Sequence, residues 1–282
     1  MKKKGTNLTA KAWTLWVVLL CVLSAVLSVL LIHRGCSSVT DDDVKIESVE
    51  EEPISAREAS RSDRIAIIID DLGQNLEPAE RLLEIGEPIT FSVIPFLPHS
   101  QQIVELACER GYEAMLHLPM EPRDYPKARP GPDALLLSMS DEEIRRKIDE
   151  ALETVYGVTG MNNHMGSRFT EDEERMHQVL KILKKKRLFF LDSLTTPKSV
   201  GYRIARDIGL PAARRDVFID HFKEPAEIRK SLDSLVILAQ KRGRAIGIGH
   251  PYEDTIRVLS EEIGEMANMG FEFVVVSELL KH

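Results

Sequence analysis

The sequence predicts an α/β domain: a seven- or eight-stranded parallel (β/α) barrel, incomplete or irregular, behind an N-terminal transmembrane helix. Three observations lead there. Between Asp63 and His282, short apolar runs alternate with longer helical patterns, which implies a parallel sheet covered by helices. The first run, Ile65–Ile69, is β-branched and does not alternate in polarity, as befits a strand buried on both faces. A long uncharged stretch near the start has the length of a membrane span. An open doubly wound sheet is the alternative, but no Gly-x-Gly-x-x-Gly turn supports a nucleotide-binding version.

The chain opens with Lys2, Lys3, Lys4 and Lys11, so residues 1–12 are expected in the cytoplasm. Residues 13–32 carry no charge and are rich in Leu and Val, with no short apolar core ending in an Ala-x-Ala-like site. They read as an uncleaved signal-anchor. Residues 33–62 form an acidic linker with Asp41-Asp42-Asp43 and Glu50-Glu51-Glu52, too poor in apolar residues to fold alone. Much of the net charge of −8 lies there, so the charge says little about the partners of the folded part. No basic footprint for nucleic acid is present. The remaining residues, 63–282, suit one large single-core domain. Of the three cysteines, Cys21 is in the span, Cys36 just beyond it, and only Cys108 in the domain, which excludes an intradomain disulfide.

Within the domain, strands are expected at Ile65–Ile69, Ile89–Ile94, Glu113–His117, Thr159–Asn163, Leu188–Asp192, Leu210–Arg214, Ala245–Gly249 and Glu272–Val276. Helices are expected at Glu77–Ile85, Ser100–Arg110, Asp141–Tyr156, Glu171–Lys186, Val200–Ile208, Pro225–Lys241 and Asp254–Ala267. Ser140 and Glu143 make a capping box at one helix start. Pro211 weakens the sixth strand, and a strand-like segment, Val217–Asp220, follows it. The connection from Leu118 to Met139 holds five prolines. It is too long for an ordinary turn and is expected to wall a groove over the strand ends.

Barrels of this kind carry chemistry at the C-terminal ends of their strands. There the sequence places Asp70-Asp71, His117, Asn163-His164, Asp192, Arg214-Arg215-Asp216 and His250. Asp at a strand-to-helix junction can serve simply as a cap, and a lone histidine is more often structural. Three of the eight histidines directly after apolar strands, on the rim that holds the paired aspartates, favour a site. Imidazole and carboxylate together suit a divalent metal, zinc first, with iron, cobalt and nickel behind it. Three protein ligands leave room for a water, whose pKa the metal lowers to about 7. A second carboxylate can take the water's proton and an opposed histidine can protonate a leaving group. These parts hydrolyse an amide or ester.

Ile68-Ile69-Asp70-Asp71 resembles the Thr-Phe-Asp-Asp motif of NodB-type polysaccharide deacetylases, and Gly247-Ile-Gly-His250-Pro resembles their late Leu-x-His motif. Together with His117-Leu-Pro-Met-Glu121 and Asn162-Asn-His164-Met-Gly-Ser167, the pattern is most similar to the divergent polysaccharide deacetylase family, over nearly all of residues 63–282. The resemblance implies a barrel of the deacetylase type, Asp70 as base, Asp71 as metal ligand and His250 as acid, with Asp192 in a supporting place. It also implies an envelope protein acting on an acetylated polysaccharide or peptidoglycan-type substrate. The usual second ligand histidine is replaced by Glu121, so the ligand set is expected to be Asp71, His117 and His164, with Glu121 the other candidate for the third place. Two further functions fit the sequence: a non-catalytic sugar-binding or scaffolding protein, and a glycosidase using two carboxylates such as Asp70 and Asp192.

With four lysines before the span, residues 37–282 are expected outside the cytoplasm, at the inner membrane. A cysteine placed in the linker should react with an impermeant maleimide in cells whose outer membrane alone is permeabilised. Labelling that requires lysis of the inner membrane would overturn this topology.

Overall fold

The computed structural model describes residues 63–280. The expected cytoplasmic segment, the span at 13–32 and the acidic linker lie outside the described residues. Among the described residues no helix is long and apolar enough to cross a membrane.

The strands are β1 (Arg64–Leu72), β2 (Thr90–Val93), β3 (Glu113–Met120), β4 (Gly160–Met165), β5 (Phe189–Asp192), β6 (Ala212–Arg214), β7 (Val217–Phe218), β8 (Arg244–Gly249) and β9 (Glu272–Phe273). The helices are α1 (Glu77–Glu84), α2 (Ser100–Glu109), α3 (Asp141–Glu153), α4 (Glu173–Lys186), α5 (Gly201–Asp207), α6 (Pro225–Arg242) and α7 (Glu253–Asn268). All strand pairs are parallel, in the order β6-β5-β4-β3-β2-β1-β8-β7, with β9 beside the start of β1.

The two edges of this sheet, β6 and β7, are separated by only Arg215 and Asp216. Arg215 N donates to Asp192 O of β5, and the next amide, Asp216 N, donates to Ile246 O of β8. One interrupted strand thus changes partners in mid-course and draws the sheet into an incomplete barrel. This explains why Leu210–Arg214 reads weakly as a strand: it starts after Pro211 and only its last three residues pair.

Alternation along each strand sorts the side chains into two layers. Ile65, Ile67 and Ile69 of β1, with Leu116, Phe190 and Ala245, pack outward against the helices. Ala66, Ile68, Met115, Phe189, Leu191, Ala213, Ile246 and Ile248 pack inward on one another. The close fit of that interior shows at Gly160, where a Cβ would stand 2.3 Å from the Phe189 ring. The chain end completes the floor: Val274, Val276 and Leu279 join the inner cluster. Val276 N donates to Thr90 Oγ1, and Ser277 N donates to Glu113 Oε1. The last expected strand is therefore short, because Val276–Leu279 turns into a 3-10 helix across the barrel floor.

The proline-rich connection is ordered against the outside of β3. Glu121 N donates to Leu135 O, and Leu135 N donates to Pro119 O. None of its residues lines the cavity over the strand ends, so the groove wall expected of it comes from elsewhere. Its long excursion is tied back by those hydrogen bonds before it can reach the rim.

Glu113 is buried on the barrel floor, and burial holds its carboxyl above the usual range despite the bonds from Ser277, Thr159 and Thr90. A carboxyl raised in the folded state contributes stability that is full below its ordinary value near 4.5 and is lost as pH rises through the folded value. Glu113→Gln keeps a carbonyl acceptor and removes the ionisation. Urea midpoints of the two proteins from pH 4 to 8 should therefore diverge in favour of the glutamine above about 4.5. A constant difference across that range would refute the assignment.

Candidate functional site

The inward rows that are apolar on the floor turn polar together at the mouth. After Ala66 and Ile68 comes Asp70; after Met115, His117; after Gly160, Asn162 and His164; after Ala213, Arg215; after Ile246 and Ile248, His250. Register brings them side by side, with His117 opposite Asn162 and Pro119 opposite His164.

Asp71 would face the helices in a regular strand. The pairing of β1 with β2 shifts register between Ile69 and Leu72. Asp71 takes a left-handed conformation there, φ 59°, which Asp tolerates better than most residues. This irregularity re-aims the side chain, so that both aspartates line one cavity. Its other walls come from His117, His164, Arg215 and His250, and its volume is about 610 Å³.

Asn162 fixes the orientations around it. Its Oδ1 accepts from Ser92 Oγ at 2.7 Å and faces His117 Nδ1 at 2.6 Å, while its Nδ2 donates to Asp70 Oδ1 at 2.7 Å. With an acceptor opposite Nδ1, His117 carries a proton there and turns Nε2 to the cavity. That Nε2 lies 3.1 Å from Asp71 Oδ1 and 3.2 Å from His164 Nδ1. His164 Nδ1 in turn lies 2.8 Å from Asp71 Oδ1. These three atoms belong to a group that could hold a metal ion. Asp71 Oδ1 is buried with no donor aligned on it, so the chemistry of the donor set fits a cation at their centre. In the protein alone, protons balance the charge. Burial pulls the His117 imidazole down, but the Asp70 and Asp71 carboxylates outweigh it and push it up to about 9. Burial likewise raises the Asp71 carboxyl, yet His117 and His164 hold it well below the usual carboxylate range.

Across the cavity, His250 Nδ1 faces Asp220 Oδ1 at 2.9 Å and its Nε2 stands 3.9 Å from Asp71 Oδ2. Asp220 is itself buried and fastened, its Oδ2 accepting from His250 N at 2.6 Å and Thr255 Oγ1 at 2.9 Å. Burial lowers the His250 imidazole, but the bond and charge of Asp220, with Asp70 and Asp71 behind, raise it above its ordinary value. Burial holds the Arg215 guanidinium below its ordinary value against the pull of Asp70, Asp192 and Asp216. Arg215 donates through Nε to Ser193 O and through Nη2 to Leu194 O.

Two expected site residues stand apart. Asp192 lies on the outward row with Phe190 and does not line the cavity. Its Oδ1 accepts from Leu194 N, and its Oδ2 accepts from Ser199 Oγ and Tyr202 N at the start of α5. It anchors a turn and a helix start and is not among the carboxylates that line the cavity, Asp70 and Asp71. Glu121 is buried behind β3, its oxygens accepting from Arg168 Nη1 at 2.7 Å and Leu137 N at 2.8 Å. It ties the long connection to the end of β4 and is not part of the Asp-His-His group. Arg215 was placed on the rim from the sequence but given no role there, and Asn162 and Asp220 were not singled out. Counting by twos back from His164 and on from Ala213 reaches Asn162 and Arg215, and Asp220 ends an apolar run as Asp70 does.

The sequence profile of the divergent polysaccharide deacetylase family matches residues 67–280. The chain belongs to this family. It is 35% identical over 196 residues to an uncharacterized protein of Haemophilus influenzae (strain ATCC 51907 / DSM 11121 / KW20 / Rd), a match over 70% of this chain and 69% of that one. It is 34% identical over 200 residues to the uncharacterized protein YibQ of Escherichia coli (strain K12), covering 71% of this chain and 62% of YibQ's length. Among solved structures it resembles that of an uncharacterized protein from Agrobacterium tumefaciens C58, with a TM-score of 0.74 and 28% identity over 78% of this chain and 90% of that one.

Whether the group holds a metal can be measured on variants of the whole protein. After loading and dialysis, Asp71→Ala, His117→Ala and His164→Ala should each lose most bound metal, because each removes one of three donors. Glu121→Ala and Asp192→Ala should keep it and instead lower the free energy of unfolding, each by about 1–3 kcal/mol for donors left without an acceptor. Metal lost from Glu121→Ala but retained by His164→Ala would reverse the ligand assignment.

Proposed function

We propose that this protein is a metal-dependent hydrolase that removes N- or O-acetyl groups from an envelope carbohydrate. The observation that carries this reading is the orphaned Oδ1 of Asp71 between two imidazole nitrogens, with Asp70 and His250 on the same cavity. Asp71, His117 and His164 would hold the metal, and zinc suits one carboxylate with two imidazoles best. Once bound, such an ion lowers the pKa of a water to about 7 and polarises an acyl carbonyl.

The chain's own residues supply the rest. Asp70, steadied by the amide of Asn162, takes the proton of the attacking water as its oxygen adds to the acyl carbon. His250, held at Nδ1 by Asp220, presents Nε2–H to the leaving nitrogen or oxygen. The acyl bond then breaks, acetate departs, and the freed amine or hydroxyl carries the proton from His250. Asp220 serves as the positioning group, because its charge favours the protonated imidazole that this step needs. Membership of the family and a cavity open at the barrel mouth support an acetylated polysaccharide or peptidoglycan-type glycan as the substrate class. Placement of this domain outside the cytoplasm behind the 13–32 span belongs to the same proposal and explains access to such a polymer.

The adjacent aspartates separate the readings. Asp70→Asn keeps the shape but takes no proton, so metal should stay bound while acetate release falls by about 10²–10⁴-fold. Asp71→Asn should lower both metal occupancy and turnover. If both variants keep metal and acetate release near wild type, the two aspartates are only caps and the proposal fails. A wild-type protein that binds acetylated glycan without releasing acetate would mark a non-catalytic sugar-binding protein on this fold.

A further inference from the structure

One charged group on the cavity wall has no partner of opposite charge. Arg215 continues the inward row after Ala213, at the break between β6 and β7, and lines the cavity. Among the described residues, no carboxylate stands within ion-pairing distance of its guanidinium. Asp70, Asp192 and Asp216 act on it through charge alone, and each is engaged elsewhere. Asp70 accepts from Asn162, and Asp192 from Leu194, Ser199 and Tyr202. Asp216 pairs with Arg242 Nη1 at 3.0 Å.

The guanidinium is nevertheless fixed in place. Nε donates to Ser193 O at 2.8 Å, Nη2 donates to Leu194 O at 3.0 Å, and its central carbon sits 4.9 Å from the middle of the Phe218 ring. Two carbonyls and a ring orient the charge without neutralising it. Nη1 has no partner among the described residues, and it is not sealed from solvent. A planar guanidinium with a free N–H suits a carboxylate, and holding it in advance lowers the cost of binding one. The charge balance points the same way. Asp220 balances a protonated His250, and Asp70 and Asp71 are balanced once a divalent ion is held, so the charge of Arg215 is left over. The strand order puts Arg215 on the arc between β5 and β8, whereas Asp71, His117 and His164 stand on β1, β3 and β4. An anion on Arg215 is therefore a part of the ligand other than the acyl group.

Resting on the carbohydrate reading above, we propose that Arg215 forms an anion subsite of this cavity and that the ligand is an acetylated sugar bearing a carboxylate. Arg215 touches no reacting atom; its part is specificity for charge.

The test is a ligand-observed NMR titration of the full chain, loaded with zinc, at low salt. The probes are N-acetylmuramic acid and N-acetylglucosaminuronic acid, each beside its neutral carboxamide. Wild type should bind at least one acid about tenfold more tightly than its amide, the order of one charge-assisted contact. Arg215→Gln should bind acid and amide alike, with zinc content and amide affinity equal to wild type as the sign that it is folded. In wild type the Arg215 Nε–H resonance should shift with the acid and not with the amide, a readout that needs no variant. A carboxylate that simply met the metal would keep its full preference in Arg215→Gln and leave that resonance unmoved, and this result would overturn the proposal. Equal affinity for acid and amide in wild type, or no binding of either acid, would do the same. Sodium acetate is titrated as a further probe: if it alone binds through Arg215, the subsite belongs to the released product and the proposal fails. Acetate release from the same sugars is followed separately. An acid preference through Arg215 without release would leave the subsite standing and remove the hydrolytic reading, and release at equal affinity for acid and amide would do the reverse.

Discussion

Asn162 is fully buried at the mouth of the barrel, and three other strands reach its amide. A buried amide with unpaired atoms is costly, so its orientation is set by its neighbours. Two donors, Ser92 and His117, converge on the oxygen, which leaves the nitrogen for the Asp70 carboxylate. From that follow the proton on His117 Nδ1, the turn of its Nε2 into the cavity and the fixed place of Asp70. A metal-ligating histidine commonly has its other nitrogen held by an oxygen acceptor, and here one side-chain amide holds both a ligand candidate and the base candidate. Asp220 does the same for His250 from the other side, with no contact to Asn162 required.

The backbone at this end is strained where the side chains must turn. Asp71, Met165 and Leu194 have φ of 59°, 52° and 48°, each a cost of about 1–3 kcal/mol for such residues. The surroundings hold them there. Met165 O accepts from Asn163 Nδ2 and Thr195 Oγ1, and Leu194 N and O are bonded to Asp192 and Arg215. Asp192, which does not line the cavity, thereby shapes the loop beside it. Arg215 reaches that loop only because the strand it ends changes partners at this point, leaving β5 for β8. The break in the barrel wall and the geometry of the cavity are one feature.

Much of this was legible in the sequence, because the signals are local. Apolar runs of strand length, capped helices and the alternation of the two imply a parallel barrel, and residues just after the runs must lie on one rim. That reasoning reached Asp70, Asp71, His117, His164 and His250, all of which line one cavity. It failed for Asp192 because a strand has two faces. A residue at the end of a run points inward or outward according to register, and Asp192 shares the outward row with Phe190. It failed for the proline-rich connection because length alone does not say where a loop is tied.

What the sequence alone determined is the set of chemical groups and the end of the sheet that carries them. The pattern of burial follows from residue type, and burial decides strand, helix and rim. Only the tertiary structure decided which groups meet and how they are turned. The register shift that swings Asp71 inward, the amide that orients His117 and the carboxylate of Asp220 beneath His250 depend on contacts between strands far apart in the chain. Such contacts are fixed by the packing of the whole barrel, since a buried polar group takes whichever partner the neighbouring strand brings within hydrogen-bonding distance.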